Sequence, residues 1–174
     1  MKKYIFKAYK NLYPSLFQKE EKRLREFTGD RVLIEHMGST AVPGLGGKGI
    51  IDIYLRVPEK EMDRYSRLIK KAGYEHKASG GDKNIIFHQR DGIGKSGEII
   101  RYHLHITFTK NQDWKNAILF RDYLRKHPEE AKRYAEVKKK AARESDQTKE
   151  KYMSIKEPII KDLLKKALEE FGVT

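Results

Sequence analysis

Residues 34–53 read IEHMGSTAVPGLGGKGIIDI, and the fold turns on how this stretch is parsed. Val32 before it and Ile34 at its start, and Ile50, Ile51, Ile53, Leu55 and Val57 at its end and beyond, are β-branched or aliphatic runs bounded by glycines and Pro58. That pattern predicts two strands, the second well buried. The Gly-Ser, Pro-Gly and Gly-Gly pairs, a lysine and a further glycine lie between them, far more than a hairpin needs. Asp52 is a lone carboxylate inside the second run, so it is expected to be hydrogen-bonded, ion-paired or metal-bound.

Two phosphate-binding templates fail on this stretch. A Walker A loop needs glycine five positions before Gly47 and Ser or Thr after Lys48, where the chain has Val42 and Gly49. A dinucleotide fingerprint needs glycines that open a helix at once, and Pro43 interrupts them. A third template fits: a strand, Gly38-Ser39 at the mouth of a turn, twelve residues, then a strand carrying Asp52. Small residues let backbone N–H groups and a hydroxyl reach phosphate oxygens, while the carboxylate holds a divalent cation that bridges them. Lys48 would add a point charge for phosphate. The competing reading is conformational, a loop needing positive φ with Lys48 as a solvated anchor.

Outward from this stretch the helices are legible. Ser15 and Gln18 have capping-box spacing, which predicts a first helix over 16–28 with Ser15 as its N-cap. Met62, Tyr65, Leu68, Ile69 and Ala72 predict a crossover helix capped by Gly73. Strand-like segments follow near 73–78, 84–90 and 99–109, with a hairpin-like connection at 91–98, so the pairing is mixed or antiparallel. From Asp113 onward the pattern is helical: one helix through Leu124, a second opened by Pro128 and running to about 145, and a third over about 148–171 in which Pro158 predicts a kink.

Composition bounds the rest. At 174 residues the chain is sized for a single unit spanning 1–174, an α+β lobe of about 14–110 followed by C-terminal helices over about 113–171. Apolar residues make up 38% and charged residues 36%, and the 10 Tyr and 7 Phe spread along the chain argue against disorder. Lys plus Arg exceed Asp plus Glu by 38 to 25, a formal charge of +13 that attracts phosphate-bearing partners such as nucleotides or RNA. Much of this excess sits in KKYIFKAYK at 2–10 and EVKKKAAR at 136–143, which also read as solvated faces. The absence of cysteine excludes disulfides, thiol nucleophiles and cysteine metal sites. No apolar run approaches the roughly 20 residues that span a bilayer, and no signal peptide is apparent, so a cytoplasmic protein without a membrane partner is expected.

HMGSTAVPGLGGKGIIDI resembles the signature of the GrpB family, also called UPF0157, whose members look like nucleotidyltransferase-fold proteins of the DNA polymerase beta superfamily. The resemblance extends over Tyr13 to Phe17, His103-Leu104-His105, the RDYLRKHP run at 121–128, and Tyr152 with Lys156. Gly49 departs from it, since members typically carry proline after the lysine. The resemblance implies a nucleotidyltransferase-like mixed β-sheet with flanking helices and a helical C-terminal part. It also implies transfer of a nucleoside monophosphate from an NTP to an acceptor, with a divalent metal, magnesium or manganese, as cofactor.

Transferases of this fold typically carry a second acid two residues after the first and a third on a later strand. This chain has Tyr54 at the second position, and at the third its alternation places His103, His105 and Thr107 on one face. Two readings compete. Asp52, His103 and His105 converge on a divalent ion, imidazole shifting preference toward a transition metal, with His105 a substitute ligand or base; or the histidines are hydrogen-bonding residues of a half-buried sheet. His36 would sit at the mouth of the same cleft or simply orient the turn, and only one of Glu35 and His36 faces the cleft. Tyr152 and Lys156 would close the cleft from the last helix, or be core and surface respectively. The competing function is a binding module that keeps the phosphate pocket, has lost its acids, and binds a nucleotide or RNA.

Overall fold

A computed structural model describes residues 4–173. Helix α1 (Tyr13–Thr28) leads into strand β1 (Leu33–Met37), a long loop, β2 (Ile51–Val57) and α2 (Met62–Lys71). Strands β3 (Glu75–His76), β4 (Ile86–Ile93) and β5 (Ile99–Phe108) follow, and α3 (Gln112–Lys126), α4 (Pro128–Glu144) and α5 (Lys149–Glu170) complete the chain. The five strands form one sheet in the order β1-β2-β5-β4-β3. Only β2 and β5 pair in parallel; the other three ladders are antiparallel. The sheet is therefore mixed, and the α+β architecture with a helical C-terminal part expected from the sequence is the one observed.

Each face of the sheet has its own cover. Ile51, Ile53, Leu55, Leu104 and Ile106, all fully buried, meet Leu24 of α1 and Ile69 of α2. Burying a side chain of this size stabilises the fold by about 1.5–3 kcal/mol. β2 is thus buried on one face only: Asp52, Tyr54 and Arg56 alternate to the other side and stay half-exposed. The helices α3, α4 and α5 pack around a second core that includes Val42, Leu45, Leu124, Tyr134 and Leu163. Arg121 ties α3 to the sheet, donating to Glu35 Oε2 at 2.6 Å and to the His36 carbonyl at 3.1 Å.

Several boundaries differ from expectation. α1 starts at Tyr13, so Ser15 lies inside the helix; its Oγ donates to the Leu12 carbonyl and caps nothing. Pro14 in the first turn explains this, because its fixed φ favours helix entry there and a helix start leaves its N–H unused anyway. β4 extends to Ile93, which shortens the connection to β5. α5, by contrast, keeps the expected span, with Pro158 inside it removing one helical hydrogen bond. The N-terminal stretch is not simply a solvated face: Lys2 and Lys3 lie outside the described residues, but Tyr4 is buried. Among the described residues, no helix is long and apolar enough to cross a membrane.

Candidate functional site

β1 ends at Met37, and the chain turns at Gly38 with φ 68° and ψ −167°, a conformation that only glycine enters freely. The turn also demands glycine sterically: a Cβ at Gly38 would overlap Asp52 Oδ2 and stand 3.0 Å from its Cγ. Asp52 is in register with Met37 on one side and His103 on the other, so its half-buried carboxylate stands against the turn. Ser39 opens a short 3-10 turn, Ser39–Ala41. Gly38, Ser39, Lys48 and Asp52 all line a cleft of about 790 Å³ between the open face of the sheet and α3–α5. Tyr152 and Lys156 line it from α5.

Contacts from four separate elements fix the loop over residues 38–50. The Thr40 hydroxyl donates to the Ile50 carbonyl at 2.9 Å. Its oxygen is left to accept from His36 Nε2 at 3.0 Å, which sets the His36 tautomer. Arg125 of α3 donates to the Ala41 carbonyl at 2.8 Å, and Lys138 of α4 to the Gly46 carbonyl at 2.6 Å. Lys7 exchanges backbone hydrogen bonds with Gly47 at 2.6 and 2.9 Å. A loop held at so many points is fixed in place relative to the sheet and α3–α4. Thr40→Val strands the Ile50 carbonyl and the His36 ring, at a cost of roughly 1–3 kcal/mol. Thermal unfolding reads this directly, and an unchanged melting temperature would contradict the anchoring role.

His36 does not face the cleft. It is in register with Ile53, a core residue, and its ring stacks on Phe17 at 4.6 Å. Burial is the main cause holding its pKa down to about 4, so it is neutral. Glu35 is the member of the pair on the cleft side, in register with Tyr54. His36 therefore positions the loop through Thr40.

The histidines of β5 also part company. His103 Nδ1 lies 3.5 Å from Asp52 Oδ1. His105 stands opposite Tyr54, stacked on its ring at 4.8 Å and tilted against Phe87 at 4.9 Å. Burial pushes the His105 imidazole down to about 4 and the Tyr54 phenol up to about 12. Among the described residues no three His, Asp or Glu side chains come together as a metal site, so the expected set of Asp52, His103 and His105 is not assembled. The reason is register: residues two apart on a strand are about 6.5 Å apart, and Tyr54 occupies the position beside His105. The donors fit a magnesium-like ion that takes one carboxylate and completes its shell from phosphate and water. They do not fit an imidazole-rich transition-metal site.

A group that sequence reasoning missed adds a buried amine to the cleft. Lys138 is buried, 7% exposed, and its Nζ stands 5.3 Å from the centre of the Tyr134 ring. A Cβ at Gly47 would lie 2.7 Å from this ammonium and would overlap Ser39 Oγ, so Lys138 and Ser39 crowd against the same glycine. Lys156 Nζ lies 4.9 Å from the Tyr152 ring, and Lys48 Nζ lies 4.4 Å from the Tyr4 ring and 5.3 Å from Tyr152. Burial first, then the neighbouring lysines, push Lys138 down to about 7 and Lys156 down to about 8. Among the described residues, neither Lys138 nor Lys156 has a carboxylate in ion-pair contact. The sequence did carry a signal for Lys138: Ala131, Tyr134, Ala135, Lys138 and Ala141 form one helical stripe, and this lysine sits on it. The N-terminal strap was missed as well; Gln147 brackets the Tyr4 backbone and the Tyr4 ring stacks on Tyr152 at 4.3 Å.

The family model described as GrpB protein matches residues 4–166 of this chain. The chain belongs to the GrpB family. It is 31% identical over 155 residues to the UPF0157 protein YqkA of Bacillus subtilis, covering 88% of this chain and 44% of that protein. It is 33% identical over 157 residues to a UPF0157 protein of Halalkalibacterium halodurans, covering 89% and 77% respectively. This GrpB chain thus spans under half the length of the first relative and about three quarters of the second. The crystal structure of conserved protein GrpB from Enterococcus faecalis superposes with a TM-score of 0.80 at 29% identity, covering 97% of this chain and 99% of that one. A Cid1 poly(U) polymerase structure with MgATP bound matches at a TM-score of 0.50 and 14% identity, covering 75% of this chain and 41% of the polymerase. That likeness bears on fold alone, and the fold is nucleotidyltransferase-like.

Proposed function

We propose that this GrpB cleft binds the phosphates of an organic polyphosphate, nucleoside triphosphates being the first class to test. The observation that supports the reading is the convergence of Lys48, Lys138 and Lys156 with Gly38, Ser39 and Asp52 on one cleft. Lysine side chains set among tyrosine rings beside Asp52 form a site suited to an anion. The Cid1 structure, which holds MgATP, is consistent with the ligand class. RNA is a less apt occupant, because the lysines are partly or wholly buried and do not form an open track.

A second reading, transfer of a nucleoside monophosphate to an acceptor, is favoured by the Asp52 carboxylate beside Gly38. Here the acceptor oxygen attacks the α-phosphorus, the bond to the β-phosphate oxygen breaks, and pyrophosphate leaves. Asp52 would hold a magnesium ion, which neutralises charge on the phosphates. Two acids that two-metal chemistry uses are replaced by Tyr54 and His105, and His105 at about 4 is a weak base. Lys138, at about 7, is better matched to accept a proton at neutral pH.

Calorimetry with ATP, CTP, GTP and UTP, with and without magnesium or manganese, tests both readings. Wild type is expected to bind nucleotide without metal and to bind more tightly with it. Asp52→Asn removes a like charge, so metal-free affinity holds or improves while the gain from metal disappears. No binding under any condition would end the proposal. Nucleotide labelled at the α-phosphate separates the second reading: labelled product from wild type, absent with Asp52→Asn, would establish transfer.

A further inference from the structure

The cleft changes chemistry along its length. Tyr152, Lys156, Ile160 and Leu164 follow at four-residue spacing on α5 and all line it. At 1.5 Å per residue, Leu164 lies about 12 Å along the helix from Lys156. Ala117, Phe120 and Leu124 of α3 line the cleft together with Ile160 and Leu164 of α5. Phe120 and Ile160 pack on the second core yet remain only partly buried, so part of each surface is left to the cleft.

Two polar side chains at this end spend part of their hydrogen-bonding capacity on the protein itself. Arg121 donates to Glu35, to Asp122 and to the His36 carbonyl. Asn116 Oδ1 accepts from Gln112 Nε2 at 2.9 Å. A ligand placed here meets mostly apolar side chains, so a group with a polar edge would leave most of its own hydrogen bonds unmade. The volume of about 790 Å³ lies toward the upper end for small-molecule sites, more than phosphates alone require.

We propose that the far end holds an uncharged hydrocarbon body carried on the phosphates bound by Lys48, Lys138 and Lys156. The ligand is then an amphiphilic diphosphate or triphosphate ester. Charge complementarity at the lysine end fixes its orientation, and burial of apolar surface at the other end supplies selectivity. The inference rests on the phosphate-binding reading and names the ligand class for that same site.

Calorimetry with inorganic pyrophosphate, geranyl diphosphate and ADP tests it on the full chain. Geranyl diphosphate is expected to bind at least tenfold more tightly than inorganic pyrophosphate and more tightly than ADP. Leu164→Gln and Ala117→Gln, two partly exposed positions on different helices, should each remove most of that advantage and leave pyrophosphate affinity unchanged. Melting temperatures identify a variant that fails to fold, and the other then carries the test. Equal affinity for geranyl diphosphate and pyrophosphate overturns the inference and leaves the phosphate site standing. Tighter binding of ADP than of geranyl diphosphate overturns it in favour of a nucleobase. No binding of any of the three overturns the inference together with the phosphate site.

Discussion

Gly38→Ala is expected to lower the affinity for phosphate ligands by at least ~100-fold, equivalent to about 2.8 kcal/mol. Two effects act together. The backbone conformation at φ 68° and ψ −167° costs a non-glycine residue on the order of 1–3 kcal/mol. The new methyl group also collides with the Asp52 carboxylate, and relief requires either rotation of Asp52 out of its place or a shift of the turn that carries Ser39. Either movement disrupts the arrangement that receives phosphate. Gly44→Ala supplies the control: its φ is 78°, but no atom lies within 4 Å of the added Cβ. It should cost stability alone and leave binding intact, as read by calorimetry and thermal unfolding. Equal effects of the two substitutions would show that the contact between Gly38 and Asp52 has no special role.

Lys138→Met is expected to weaken phosphate binding by roughly 10- to 150-fold, the loss of one charge-assisted hydrogen bond of about 1.5–3 kcal/mol. Its effect on stability has the opposite sign. Lys138 falls from the ordinary 10.5 to about 7 in the folded protein, so between these values the unfolded chain binds more protons than the folded one. Stability from this group is therefore lowest below pH 7 and rises with pH toward 10. Methionine removes both the burial penalty and its pH dependence, although the Gly46 carbonyl loses a partner. The variant should gain stability relative to wild type most at pH 6, with the difference shrinking by pH 10. Melting curves at the two pH values decide this; a constant difference would mean that Lys138 does not titrate in the window. Loss of function with gain of stability is the trade-off expected of a group kept for binding.

The frame of the molecule was legible where one periodicity ran undisturbed. β2 alternates Ile51, Ile53 and Leu55 inward, and α2 follows its apolar stripe to a glycine cap. Gly38, Ser39, Lys48, Asp52, Tyr152 and Lys156 were read from spacing and resemblance, and all line one cleft. His36 was left between the cleft mouth and a role in orienting the turn, although Val32 and Ile34 had already set the even positions of β1 toward the core. Its polarity drew it toward the site, whereas a buried imidazole bonded to Thr40 satisfies that polarity locally. The metal set could not be judged from sequence, because strand register decides which residue stands beside His105, and register depends on tertiary pairing. Lys138 and Tyr4 were hidden for a different reason: each lies in a run of charges, and only the packing of α4, α5 and the N-terminal strap buries one member of the run.

The most direct measurement is a crystal structure of the protein grown with a non-hydrolysable ATP analogue and magnesium. The account predicts phosphate density against Gly38 and Ser39, within hydrogen-bond reach of Lys48, Lys138 and Lys156, with the ion on Asp52. Phosphates bound elsewhere on the surface, with the cleft containing only solvent, would contradict it.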